Sequence, residues 1–357
     1  MLSLGGLGAG HSVNELNWKM AQQPMPRAHP LPRVAAVIPA YRAGASVWAV
    51  VSAIGPEVER IYVIDDACPD GSGDIVEAKL AGERVVVLRN PRNLGVGGAV
   101  KCGYGAAYAD GMDIIVKLDA DGQMDAAAIP NLIAPLIDGE ADYAKGNRLA
   151  HRRRTGAVQA PNSGRPMPTT RRLGNNLASF LHKAITGYWN ILDPANGFTA
   201  IHRAALGAVD LPAVADCYFF ETDMLFQLNL AEAVVTDVQL PARYADEVSS
   251  LRIRDVIWRY PLLALRRCIA RVWIKYFLDD FNVASLEIIA GLPLLAVGSA
   301  LGFYAWMEAL QSGTPATAGT VMFAALPIII GFQLLLSAIG YDVARVPTVP
   351  LSARTKR

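Results

Sequence analysis

Two stretches toward the C-terminal end of the chain, Ile288–Met307 and Val321–Tyr341, contain no charged residue. At a rise of about 1.5 Å per residue, a helix of roughly 20 residues crosses the ~30 Å hydrocarbon core of a bilayer. The segment between them, Glu308–Thr320, is short and has one acid and no Lys or Arg. The pattern predicts a two-helix membrane hairpin. The competing reading is a pair of buried core helices, which the length, position and lack of charge make the weaker fit. The charge deficit is local to these stretches, for the chain as a whole has 18% charged residues, against about 25% in soluble domains.

Charge flanks the hairpin unevenly. Arg252, Arg254, Arg259, Arg266, Arg267, Arg271 and Lys275 precede it, and Arg345, Arg354, Lys356 and Arg357 follow. Positive flanks stay in the cytoplasm. The expectation is therefore an integral membrane protein of two spans, with both termini and the large N-terminal domain cytoplasmic. Cys68, Cys102, Cys217 and Cys268 are scattered, without CxxC or zinc spacing, as expected for free thiols in a reducing compartment. Residues 1–32 are rich in Gly, Pro and polar residues and lack a basic start followed by an apolar core. A flexible tail is expected there, not a signal peptide.

Four short, nearly continuous apolar runs recur: Val34–Pro39, Arg60–Asp65, Arg84–Leu88 and Asp113–Asp119. Such runs suit strands buried on both faces of a parallel sheet. Helical stretches at 44–54, 72–81 and 97–109 fill the gaps, so the first 120 residues predict an α/β domain of the doubly wound type. Further helices are expected at 173–187, Ile201–Val209 and Glu221–Ala231, and a late strand at Val234–Leu240. Residues 150–172 break the pattern with a basic run and a stretch rich in Pro, Gly, Ser and Thr, as a functional lid or an insert would. In Leu262–Phe277, Arg267, Arg271 and Lys275 form one line and Leu265, Ile269, Val272 and Tyr276 another. A basic amphipathic helix beside a span belongs at the membrane interface, drawn there by anionic headgroups. Packing on its own domain is the alternative. The expected divisions are a tail (1–32), an α/β domain (33–250), juxtamembrane helices (251–281), two spans (282–343) and a cytoplasmic tail (344–357).

The chemistry concentrates where apolar runs end in acid. Asp113–Gln123 finishes with Asp119 and Asp121 one residue apart, and Ile61–Asp66 finishes with Asp65 and Asp66. Side chains at i and i+2 of a strand share a face. Paired carboxylates on one face call for a hard divalent cation between them. Ligands of open α/β sheets bind beyond the carboxyl ends of the strands, so the two acidic ends predict a cation-dependent site for a phosphorylated ligand. Asn93–Gly98 has the look of a dinucleotide fingerprint but follows the third strand instead of the first, which disfavours a redox Rossmann domain. His151, His182 and His202 lack ligand spacing. Glu221 and Asp223 open a helix, where acids compensate the helix dipole. The domain has no basic excess with interleaved aromatics, so no nucleic-acid partner is expected.

In order, these motifs resemble the family 2 glycosyltransferases of the GT-A fold. Within them they resemble the polyprenyl-phosphate glycosyltransferases, the set that includes dolichol-phosphate mannosyltransferases. The likeness spans residues 33–255, and the hairpin is similar to that of the two-span members. Val37–Tyr41 resembles the end of the family's first strand, with Pro39, Ala40 and Tyr41 at the nucleotide base. Ile64–Ser72 resembles its acidic turn, with Asp65 and Asp66 near the base, and Asn90–Gly103, including Lys101, its Gly-rich turn into a helix. Asp119-Ala120-Asp121-Gly122-Gln123 matches the DXD element, which implies that Asp119, Asp121 and Gln123 hold Mg2+ or Mn2+ and that Ala120 lies against the donor. Gly146-Asn147-Arg148 resembles the segment whose Arg approaches the phosphates. Asp193–Phe198 resembles the turn under the acceptor, and Tyr244–Leu251 the last stretch before the membrane. Arg42 and Ala43 stand where many members carry Glu, and Ser249-Ser250 where mannosyltransferase-like members have Ser-Lys.

The resemblance thus implies inverting transfer of a sugar from a UDP- or GDP-linked donor to a polyprenyl phosphate, undecaprenyl or dolichyl, among membrane lipids. Asp121, Arg148 and Arg172 are the implied catalytic residues. Arg171, Asn196, Ser249, Ser250 and Arg252 are the implied acceptor-phosphate contacts. The alternatives are a related transferase with another lipid or glycan acceptor, a nucleotidyltransferase, or a membrane scaffold that keeps the fold without the activity. Subunit number is left open.

Overall fold

The computed structural model describes residues 32–44, 46–79, 84–147, 179–194, 196–240 and 253–354, with 253–258 as backbone alone. The expectations placed on the N-terminal tail and on residues 148–178 and 241–252 lie outside the described residues.

The chain alternates as the apolar runs require: β1 (Val34–Ala40), α1 (Ser46–Ala53), β2 (Arg60–Asp65), α2 (Ser72–Lys79), β3 (Val85–Arg89), α3 (Gly95–Ala109) and β4 (Ile114–Lys117). Then come α4 (Ile129–Ile137), β5 (Tyr143–Asn147), a helical segment α5 at 179–186, β6 (Thr199–His202), α6 (Arg203–Ala208), α7 (Phe220–Leu230) and β7 (Val235–Gln239). Among the described residues the strands form a seven-stranded sheet in the order β3-β2-β1-β4-β6-β5-β7. Only β6 runs against its neighbours. This is a GT-A-like, mostly parallel sheet.

The strands lack alternation because both faces are covered. Ala36, Ile38, Val63 and Val116 pack against Val47, Val51, Leu132 and Leu136 of α1 and α4. On the other face Val37, Ile64, Ile115 and Ile201 meet Val100 and Tyr104 of α3 and Met224 and Leu228 of α7.

Two expectations need correction. The helix expected at Ile201–Val209 is a strand through His202, and α6 starts only at Arg203, with the His202 ring accepting from Ala204 N. The strand expected to reach Asp119 stops at Lys117. The paired acids therefore lie on a loop, and strand alternation is not what brings them together. α4, with two prolines in IPNLIAPLI, and β5, with Lys145 inside YAKGN, carried no readable period.

Beyond the sheet, α8 (Ile253–Trp273) leads into α9 (Val283–Ser312) and α10 (Ala318–Ala344), each long and apolar enough to cross a membrane. Only 11% and 17% of their apolar windows are buried in the protein, which sets them apart from core helices. They meet through small residues: a Cβ on Gly331 would lie 2.7 Å from Gly291 O, so the backbones touch, as close-packed membrane helices do. After α10 the chain returns to the sheet. Leu351 N and Ser352 N at the start of α11 (Leu351–Arg354) donate to Asp142 at 2.8 and 3.0 Å. Val346 and Leu351 pack on the α3-side core. The segment after the second apolar helix thus packs on the sheet domain as far as Arg354.

Candidate active site

β1 lies between β2 and β4, and the chain leaves it first in one direction and later in the other. A crevice opens at such a switch point, beyond the carboxyl ends of the strands. Pro39, Ala40 and Tyr41 lead out of β1, and Tyr41 is exposed. Asp65 and Asp66 end β2, and both are buried. Asp65 accepts from Cys68 N at 2.7 Å and Gly73 N at 3.0 Å. Asp66 accepts from Leu94 N, Gly95 N and Asn90 Nδ2 at 2.7–2.9 Å. The two acids hold the turn into α2 and the Gly-rich start of α3, so they shape the crevice wall. Arg42 (φ 55) and Ala67 (φ 53) sit two residues past β1 and β2 in the left-handed region, a strain typical of functional loops.

Opposite them, β4 delivers the acidic loop. Ser46 Oγ donates to Ala120 O at 2.7 Å, tying this loop to the start of α1. Gln123 N donates to Asp121 Oδ1 at 2.9 Å. Asp119 is bound from below by a residue the sequence did not single out. Lys117 Nζ, 1% exposed, lies 2.9 Å from Asp119 Oδ1 and 2.9 Å from Glu221 Oε1. Burial works to lower the Lys117 pKa, but the two carboxylates prevail and hold it above the ordinary lysine value.

The cross-strand register explains this lysine. Ile115, Ile201, Tyr143 and Val235 form an apolar row across β4, β6, β5 and β7. Two residues nearer the carboxyl edge, on the same face, the row reads Lys117, Thr199, Lys145, Asp237. Both lysines reach the turn that precedes β6. Lys117 Nζ donates to Gly197 O at 3.3 Å, and Lys145 Nζ to Asn196 O. Asn196 Nδ2 donates in turn to Gly146 O. A Cβ at Gly197 would stand 2.7 Å from Lys117 Nζ and 2.8 Å from Asp119 Oδ2, so any other residue there would displace this pair. Two fully buried ammonium groups thus lie under the turn. Burial draws Lys145 down to about 8, against the upward pull of Glu221 and Asp193.

Lys101 has a different setting from the acids. Its Nζ pairs with Asp216 and donates to Val214 O at 2.8 Å, closing α3 against residues 212–216. Arg148, Arg171, Arg172, Ser249, Ser250 and Arg252 lie outside the described residues.

A family model for glycosyl transferase family 2 matches residues 35–209. Over 199 residues the chain is 30% identical to the undecaprenyl-phosphate mannosyltransferase of Micrococcus luteus, covering 55% of this chain and 77% of that protein. The chain belongs to glycosyl transferase family 2. It is also 29% identical to the polyprenol monophosphomannose synthase of Mycolicibacterium smegmatis, over 64% of this chain and 86% of that one. It is 29% identical to the UDP-N-acetylglucosamine–dolichyl-phosphate N-acetylglucosaminyltransferase of Methanococcus voltae, over 48% of this chain and 69% of that one.

This family 2 glycosyltransferase turns the charged side of α8 inward, which corrects the expectation that its basic line meets headgroups. Arg267 pairs with buried Asp223 at 2.6 Å and Arg271 with Asp342 at 2.7 Å; in the π-helical turn Ile274–Leu278 that follows α8, Lys275 lies 3.6 Å from Glu232. The outward stripe is apolar, with Leu262, Leu265, Ile269 and Trp273 exposed. Arg259 and Arg266 are exposed alongside it.

The glycosyltransferase also carries a titratable group at the sheet edge. Burial raises Asp237 to about 6, although Leu192 N and Asn147 Nδ2 donate to its Oδ2 at 2.7 and 2.8 Å. Between about pH 4 and pH 6 the folded chain keeps a proton there that the unfolded chain has lost. The group therefore lowers stability as pH rises through that window, by at most about 3 kcal/mol. Asp237→Asn keeps an acceptor oxygen for both bonds. Its melting temperature in detergent, followed from pH 4.5 to 6.5, should fall less than that of the natural protein. Parallel curves would refute the assignment.

Proposed function

We propose that this protein transfers a sugar, with inversion, from a UDP- or GDP-linked donor to a polyprenyl phosphate at the cytoplasmic face of a membrane. One observation carries the reading. The Asp119–Asp121 loop at the switch point stands beside a turn underlaid by two ammonium groups, in a chain with two membrane-length helices. The names of the relatives support the same acceptor class.

Pro39, Ala40 and Tyr41 receive the nucleotide base, between walls that Asp65 and Asp66 fix. Asp119, Asp121 and Gln123 would hold Mg2+ or Mn2+. The donor set fits, since two carboxylates and an amide oxygen on one short turn are hard ligands. When bound, the ion supplies positive charge against the leaving diphosphate. Arg148, with Arg171 or Arg172, adds fixed positive charge there. The acceptor needs no protein base, because a phosphate monoester with a second pKa of about 6 is already an anion at neutral pH. Asn196, with Ser249, Ser250 and Arg252, orients that anion. Attack from the side opposite the diphosphate gives inversion. The apolar stripe of α8 rests at the bilayer surface, where the lipid head lies.

The test is to incubate membranes containing the protein with a panel of radiolabelled UDP- and GDP-sugars and to extract the lipids. Label is expected in an acid-labile lipid with one donor of the panel, and only with a divalent ion present. Label in polysaccharide or protein instead of lipid, or no transfer from any donor by correctly inserted protein, would overturn the proposal.

A further inference from the structure

Lys117 stands where three elements meet. Its Nζ touches Asp119 of the acidic loop, Gly197 O of the turn before β6 and Glu221 of α7. The next two residues of α7 reach the juxtamembrane helix: Thr222 Oγ1 meets Tyr260 OH at 2.6 Å, and Asp223 pairs with Arg267. The side chains of Lys117, Asp119 and Glu221 are 1%, 34% and 15% exposed. Their charges sum to −1. Without the ammonium group the pair of acids would sum to −2 on either side of the space that it occupies, and such a pair attracts a free divalent ion. With it, that space is filled.

Building on the proposed function, we infer that Lys117 is a positioning residue that acts as a resident counter-cation. It fixes Asp119 through Oδ1 and keeps a free divalent ion from settling between Asp119 and Glu221. The Asp119–Asp121 loop would then hold a divalent ion well only together with a diphosphate, which would supply the oxygens that the protein withholds.

The test measures Mn2+ binding to the full chain in detergent by the loss of the free-ion paramagnetic signal, with and without UDP or GDP. The natural protein should bind Mn2+ at least tenfold more tightly with one of the nucleotides than without. Lys117→Met should bind Mn2+ alone roughly tenfold more tightly than the natural protein does, while sugar transfer falls. Lys117→Met/Glu221→Gln restores the sum of −1 and should return Mn2+ binding to within about threefold of its starting value. A merely structural lysine gives the opposite sign, since a loosened site binds everything less well. Unchanged or weaker binding of Mn2+ alone in Lys117→Met overturns the inference and leaves the proposed function standing. If the natural protein binds no Mn2+ with either nucleotide, both fall. Should Lys117→Met not fold, Glu221→Gln brings the trio to zero and should weaken Mn2+ binding several-fold; no change there also overturns the inference.

Discussion

Asp121→Asn should cut sugar transfer by about a thousandfold while the protein still inserts into membranes and melts at its usual temperature. Asp121 Oδ1 accepts from Gln123 N at 2.9 Å, and an asparagine oxygen retains that bond, so the loop keeps its shape. What goes is one unit of negative charge in a site proposed to hold a divalent cation against a diphosphate. Removing a single preorganised group from a charge-stabilising site costs about 10²–10³ in rate. A cation ligand stands at the upper end because its loss also lowers occupancy. Turnover of a radiolabelled donor into lipid, read beside the melting curve, separates the two effects. Transfer at the natural rate would remove the metal role from Asp121. A lowered melting temperature with proportionate loss of transfer would make the residue structural.

The sequence exposed the left half of the sheet more fully than the right. β1, β2 and β3 are apolar nearly without interruption because helices cover both faces, and hydrophobicity alone outlines them. To the right of β4 the strands are shorter and carry polar residues. β5 has Lys145 and Gly146 within five residues, and β6 has four residues and ends in His202. Lys145 and Thr199 are buried because register sets them in one row with Lys117, and register is not visible in a single strand. The same blindness hid Lys117. Read along the chain, it is a lysine interrupting an apolar run; read across the sheet, it is the group that grips Asp119. Glu221 looked sufficient as an acid at a helix start, and its partner lies 104 residues away. The basic line of α8 was legible as a line, but which way it faced depended on Asp223, Asp342 and Glu232, each from a different element.

Asp342→Ala should cost about 3–5 kcal/mol, and pairing it with Arg271→Met should recover most of the loss. The Asp342 carboxylate near the end of α10 accepts from both terminal nitrogens of Arg271, at 2.7 and 2.9 Å, from Trp189 Nε1 at 2.7 Å, and from Tyr276 OH. Arg271 Nη2 also donates to Ala184 O at 2.8 Å. One carboxylate thus joins the second apolar helix, the juxtamembrane helix and the segment ahead of β6. Removing it strands a guanidinium group that is 4% exposed on its side chain. The cost of an uncompensated buried charge exceeds what the pair contributes, which is why deleting both partners is milder than deleting one. A stability margin of about 5–15 kcal/mol leaves the single variant folded but weakened at the junction between hairpin and sheet domain. Protease cutting between Trp189 and Asp342 in detergent should therefore speed up in Asp342→Ala and return toward the natural rate in the double variant. If the two changes added instead of offsetting each other, the carboxylate would not be the tie between the hairpin and the sheet domain.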